Sequence, residues 1–194
     1  RHYFDLYLTQ GPYFTKRFMQ LAEKFGNFEV METGWPKLDP MFKAMHGSNN
    51  RGRQPGRSHA NPLRLLYAPT FSPSLTSAKD LLEPIGRLAL ESNVAILLKF
   101  HDLMDPGIRS QYEALAQNLP NIELVTAPDI VPLLLEADVL ISDTSSVVYE
   151  FLLLDKPVIT YKSRAALPAW QNIEDAAGLQ FALDRALKED PCKL

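Results

Sequence analysis

Three short polar segments carry side chains suited to phosphate chemistry. Ser142-Asp143-Thr144-Ser145-Ser146 stands between two apolar runs, VLIS and VVYEFLLL. A helix start leaves backbone N–H groups unpaired and carries a partial positive charge. Small hydroxyl residues let a phosphate approach closely and add donors of their own. Ser145 and Ser146 therefore read as diphosphate ligands, with Thr144 and Asp143 beside them. Asp143 has two other readings, as a helix cap or as the holder of a neighbouring loop. Asp, Thr and Ser are also ordinary N-caps, so spacing alone does not separate these roles.

Lys99-Phe100-His101-Asp102 closes the apolar run VAILL. Lys99 and His101 alternate with Phe100, so they share a side if the strand persists. One would neutralise charge on a leaving phosphate, and the other would donate a proton or hydrogen bond. Ala68-Pro69-Thr70-Phe71-Ser72 follows the run LRLLY, where Thr70 and Ser72 offer hydroxyls and Pro69 and Pro73 stiffen the loop. Glu150, inside the helix that Ser145 opens, is a carboxylate able to accept ribose hydroxyls. In the turn Thr33-Gly34-Trp35-Pro36, Gly34 permits close backbone approach to a nucleoside.

These segments need a scaffold that brings them together. Short strands are expected at Phe4–Leu8 and Phe28–Met31, with a helix over Tyr13–Phe25 that shows Phe14, Phe18, Leu21 and Phe25 on one face and stops at Gly26. A short helix follows at Asp39–Ala44. Further strands are expected at Leu63–Ala68, Val94–Phe100, Ile122–Val125, Val139–Ser142 and Pro157–Tyr161. Helices are expected at Ser77–Glu91, kinked at Pro84, and at Pro106–Leu119, Asp129–Glu136, Ser145–Leu154 and Asp175–Lys188. VAILLKF is nearly continuous in apolar residues, as in a parallel strand buried on both faces. The alternation predicts an α/β fold: a doubly wound, mostly parallel, Rossmann-like sheet with helices on both faces. Ligands of such sheets bind outside the carboxyl ends of the strands, where all three polar segments fall. The expected division is residues 1–44 as the end of a preceding domain and a connecting segment, 45–62 as a flexible loop, and 63–194 as a nucleotide-donor domain.

Composition bounds the rest. The chain has 194 residues, 46% apolar and 22% charged, with a formal charge of −3. That charge argues against a nucleic-acid partner. The segment holding Arg51, Arg53, Arg57, His46 and His59 is a solvated loop by composition, with a flexible anion contact as the other reading. The one cysteine, Cys192, allows no internal disulfide, which suits a reducing compartment. No cluster of metal-ligand spacing is present, and no metal or cofactor is expected. GxGxxG, GxxxxGK[ST] and GxSxG are all absent. The chain opens without Met, which reads as a piece of something longer.

Taken together, LLYAPTF, LLKFHD and DIVPLLLEADVLISDTSSVVYEFLLLDKPVITY resemble the CDP-glycerol glycerophosphotransferase family, the polymerases and primases of teichoic-acid type polymers. DLYLTQGPYFTKRF and VMETGWPKLDPMF resemble further segments of it. The resemblance implies a GT-B architecture of two Rossmann-like domains, with this chain holding the C-terminal donor half and the tail of the acceptor half. It implies a CDP-linked donor, CDP-glycerol first, and a lipid-linked or polymer acceptor held by the preceding domain, which would also supply the base. It places His101 near the donor diphosphate, Ser145 and Ser146 at the phosphate-binding helix start behind Asp143, Thr70 in the Pro-Thr loop, and Gly34 and Pro36 in the connecting turn. It implies a cytoplasmic protein, peripheral at the inner face of the membrane. A homo-oligomer is left open.

The sequence departs from the family pattern at four places. Thr144 stands where an aromatic is usual, and Asp102 where Pro is usual. Phe71-Ser72-Pro73 stands where Arg or Lys is common, and Lys162-Ser163-Arg164 replaces an acidic, glycine-rich stretch. Two other functions therefore stay open: a nucleotide-sugar enzyme of the UDP-N-acetylglucosamine 2-epimerase or glycosyltransferase type, and a non-catalytic nucleotide-binding module.

Overall fold

The computed structural model describes residues 4–46, 61–164, 167 and 170–188. The chain forms two compact units, Arg1–Gln54 and Pro55–Leu194.

In the first unit, β1 (Leu6–Thr9) and β2 (Glu29–Glu32) pair in parallel, joined by helix α1 (Pro12–Phe25). Pro12 opens α1, where its missing N–H costs nothing. Gly26 closes it at φ 66°, with its N–H on the Ala22 carbonyl. Tyr7 packs between Phe18 and Phe28, with ring centroids at 5.1 and 4.9 Å. The expected apolar face of α1 is covered only there: Phe14, Leu21 and Phe25 are exposed. A two-stranded sheet has too little area to bury a fourteen-residue amphipathic helix. A 3₁₀ turn (Pro36–Leu38) then leads into α2 (Asp39–His46), two residues longer than expected.

The second unit is one six-stranded parallel sheet. Its strands are β3 (Leu63–Tyr67), β4 (Val94–Leu98), β5 (Ile122–Leu124), β6 (Val139–Ser142), β7 (Val158–Tyr161) and β8 (Gln171–Ile173), in the order β5-β4-β3-β6-β7-β8. This is the doubly wound Rossmann order, and its direction of travel reverses between β3 and β6. Helices α3 (Leu82–Glu91), α4 (Pro106–Asn118) and α7 (Leu179–Ala186) pack on one face, where Leu65, Tyr67, Ile96, Leu98, Ile141 and Ile159 are buried. Helices α5 (Val131–Glu136) and α6 (Val147–Leu152) lie against the other face, over Leu66, Leu140 and Val158. Strict alternation along β3, β6 and β7 feeds both layers, which is why these strands read as continuous apolar runs.

Three expectations need correction. Strand β8 is not among the expected strands, because Gln-Asn-Ile is too short and polar to register as one; it is held as an edge by pairing with β7. Helix α3 begins at Leu82 rather than Ser77, which places Pro84 in its first turn, where the lost N–H is already an orphan, so Pro84 marks the start instead of a kink. Helix α6 is Val147–Leu152, shorter than Ser145–Leu154. Leu154 and Asp155 close it with tight-turn bonds to Phe151 and Leu152, and Asp155 is left-handed at φ 52°. The expected loop at 45–62 and its basic residues Arg51, Arg53, Arg57 and His59 fall almost wholly outside the described residues.

Candidate functional site at the carboxyl edge of the six-stranded sheet

Three strand ends are tied together just past their last paired residues. The Ala68 N–H donates to the Ile141 carbonyl at 3.0 Å, and Ser142 Oγ donates to the Ala68 carbonyl at 2.7 Å. The Lys99 N–H reaches the Tyr67 carbonyl at 2.9 Å. The loops after β3, β4 and β6 therefore leave the sheet from fixed points at the switch between β3 and β6.

Asp143 holds two of these loops to each other. Its Oδ1 accepts the Thr70 N–H and its Oδ2 accepts both the N–H and the Oγ–H of Ser77, each at 2.8 Å. Ser77 has one hydroxyl proton, so the Tyr67 hydroxyl, 2.9 Å from Ser77 Oγ, must be a donor to it. The Tyr112 hydroxyl donates to the Ala78 carbonyl at 2.9 Å, beside the same loop. Burial pushes both phenols above their ordinary range and keeps them protonated. Burial also raises the Asp143 carboxyl above its ordinary value, against the pull of its hydrogen bonds from Ser77 and Thr70. At 1% exposure, with both oxygens facing donors of the Thr70–Ser77 loop, Asp143 is no diphosphate contact. A buried acceptor of this kind repels a phosphate and shapes the loop that could meet one.

The loop from Thr144 to Ser146 is presented differently. The Ser145 N–H turns back to the Asp143 carbonyl at 2.9 Å, while Ser146 is the exposed residue before α6, at φ −65° and ψ −22°, with no side-chain cap. The N–H groups of Ser146 and Val147 meet no acceptor among the described residues. Thr144 Oγ1 accepts the Arg164 N–H at 3.1 Å, which fastens the segment after β7 beside the segment after β6. The sequence marks Arg164 only by its position, three residues beyond the buried parallel strand β7. Lys162, also past β7, sits at φ 47° with its Nζ 3.6 Å from Asp80, which accepts the Tyr161 hydroxyl at 2.8 Å.

Past β4, the alternation of burial continues through Lys99 (half-buried), Phe100 (buried) and His101 (exposed). Phe100 packs on Tyr67 and Tyr112. Lys99 Nζ makes a long contact, 3.4 Å, to the Phe100 carbonyl. His101 Nδ1 accepts the Leu103 N–H at 3.1 Å, and its ring lies against Phe71 with centroids 4.4 Å apart.

The two expected nucleoside residues are placed less simply. Glu150 is 1% exposed within α6 and is already partnered, so the sheet edge does not present its carboxylate for a ribose. Gly34 lies in the first unit at φ 76°, where an added Cβ would meet nothing within 4 Å. It is required there for its backbone angle, not for close approach. Among the described residues, no group of three or more His, Cys, Asp or Glu side chains is placed to hold a metal. No helix among them is long and apolar enough to cross a membrane.

The curated relatives are teichoic acid glycerol-phosphate primases and a transferase, while the fold is shared more widely, with the S. aureus MnaA–UDP structure at a TM-score of 0.63 and 15% identity, covering 95% of this chain and 52% of that one. The chain is 30% identical over 132 residues to a teichoic acid glycerol-phosphate primase of Bacillus spizizenii, covering 66% of this chain and 32% of that protein. It is 29% identical over 169 residues to a teichoic acid glycerol-phosphate transferase of Staphylococcus aureus, covering 81% and 41%. Its fold matches the wall teichoic acid polymerase TagF, in a structure soaked with CDPG, at a TM-score of 0.63 and 19% identity, covering 96% of this chain and 49% of that one. The chain thus spans about a third to a half of the length of these relatives. The sequence pattern of CDP-Glycerol:Poly(glycerophosphate) glycerophosphotransferases matches residues 2–165, and the chain belongs to that family.

Proposed function

We propose that this chain is the donor-binding part of a glycerophosphotransferase that takes a polyol phosphate from a CDP-linked donor, CDP-glycerol foremost. The observation that carries this reading is the pair of loops at the β3/β6 switch, Thr70–Ser77 and Thr144–Ser146, held in register by buried Asp143. The Ser146 and Val147 N–H groups and the Ser145 and Ser146 hydroxyls would take the diphosphate, with Thr70 on the facing loop. Thr144 would contribute its O–H while its oxygen holds Arg164. Arg164, Lys99 and Lys162 would supply positive charge along the same edge.

The acceptor hydroxyl would attack the β-phosphorus and give up its proton to a base of the preceding domain. A new P–O bond forms as the bond from that phosphorus to the bridging oxygen breaks, and CMP leaves with the electron pair. The protein's task at this edge is to position the donor and stabilise the negative charge that shifts to the leaving phosphate. Lys99 would offset that charge, and His101 would donate from Nε2 to a phosphate oxygen. The acceptor would be lipid-linked or polymeric, and the whole protein would work at the inner face of the cell membrane.

The test is calorimetric titration with CDP-glycerol, CDP, CMP and UDP-N-acetylglucosamine. Cytidine-selective binding, weaker for CMP than for CDP, is the expected result. Preference for the uridine ligand would replace this reading with that of a nucleotide-sugar enzyme.

A further inference from the structure

His101 is exposed on a turn, where an imidazole ordinarily samples several rotamers. Here two contacts from different directions restrain it. The Leu103 N–H donates to Nδ1 at 3.1 Å, and the turn that carries it is closed by the Met104 N–H on the His101 carbonyl at 2.9 Å, with Met104 itself buried. Phe71 lies against the ring at a centroid separation of 4.4 Å and a tilt of 33°, a stacked geometry. Phe71 comes from a different strand end, in a loop stiffened by Pro69 and Pro73 and tied down through the Thr70 N–H on Asp143. A ring nitrogen that accepts a backbone N–H carries no proton, so the neutral imidazole holds its proton on Nε2.

From this geometry we infer that Phe71 is a positioning residue, whose ring keeps His101 seated on the Leu103 N–H with Nε2–H directed outward as a hydrogen-bond donor to the phosphate of the nucleotide-linked donor. The inference rests on the reading of this edge as a diphosphate site. Phe71 is itself 38% exposed, an apolar ring left at a polar edge, and the His101 ring is its stacking partner. Without the stack, one hydrogen bond is left to hold an exposed ring, and both tautomers and several rotamers become accessible.

Two-bond 1H–15N correlation spectra of the wild-type chain, Phe71→Ala and Phe71→Tyr test the positioning directly, at a pH where the ring is neutral. The wild type should show the Nε2–H pattern with His101 ring protons shifted upfield by the Phe71 ring current. Phe71→Ala should lose that shift and mix tautomers, and Phe71→Tyr should retain both features. For CDP-glycerol, Phe71→Ala and His101→Ala should each raise Kd about tenfold, and the double variant should add nothing to His101→Ala, because Phe71 acts through His101. An unchanged tautomer in Phe71→Ala, or additive losses in the double variant, would overturn the inference. A chain that takes no CDP-linked donor overturns the donor reading, while the spectra still pass or fail Phe71 as the holder of the ring.

Discussion

Replacing Asp143 should loosen the sheet edge more than any surface change. The Asp143→Ala variant removes the acceptor of three hydrogen bonds at 2.8 Å: the Thr70 N–H, the Ser77 N–H and the Ser77 hydroxyl. A buried donor left without a partner costs about 1–3 kcal/mol. Ser77 is 1% exposed and carries two of the three donors, whereas half-buried Thr70 can turn to water. Losing the charge also returns part of the desolvation cost that raises the Asp143 carboxyl. The net expectation is about 3 kcal/mol, or roughly 10 °C in Tm for a unit of this size. Asp143→Asn should cost about half as much, since an oxygen in the Oδ2 position still accepts both Ser77 donors while its amide faces the Thr70 N–H. Urea denaturation followed by circular dichroism supplies the free energies. An Asp143→Ala variant within about 0.5 kcal/mol of wild type, at an unchanged m value, would refute the reasoning.

The same carboxyl gives a pH dependence with a fixed sign. Its native value is raised by burial, so between the ordinary aspartate range and that raised value the native state binds more protons than the unfolded chain. Its contribution is complete below the ordinary range and is lost as pH rises through the native value; stability measured against pH in Asp143→Asn should lack this slope. Lys156 Nζ donates to the Ala137 and Leu135 carbonyls at 2.6 and 2.8 Å at the end of α5, so Lys156→Ala should cost about 1–2 kcal/mol by denaturant titration. Arg164→Gln should weaken CDP binding by about five- to tenfold with Tm unchanged, as expected for one charge-assisted contact on an exposed side chain. Ser146 already has a φ that proline adopts, and Ser146→Pro removes one N–H and one hydroxyl, so it should weaken the same ligand by tenfold or more in calorimetry.

The fold was legible because its strands are buried on both faces. LRLLY, VAILL, VLIS and PVITY announce themselves as parallel core strands. Their carboxyl ends fix where ligand chemistry can lie before any side chain is placed. Edge elements were less visible: β8 owes its conformation to pairing with β7, and the start of α3 to Pro84, not to apolar spacing. The site was legible at the level of loops and less so at the level of roles. Asp143 was found by its position next to Ser145 and Ser146, yet whether it faces a ligand or a neighbouring loop depends on Ser77, sixty-six residues earlier in the chain. Glu150 reads from the sequence as a carboxylate open to a ribose, and only packing shows it to be buried. Phe71 against His101 joins two loops separated by a whole βα unit, a contact that one sequence does not encode in any local pattern.

The most direct test of the account is an amide-resolved 1H–15N titration of the chain with CDP-glycerol. The account predicts saturable binding, with the largest shifts at the Thr70, Ser145, Ser146 and Val147 amides and a second group at His101 and Arg164. Saturable binding whose shifts gather elsewhere, or no binding up to millimolar donor, would contradict the assignment of the β3/β6 edge as the donor site.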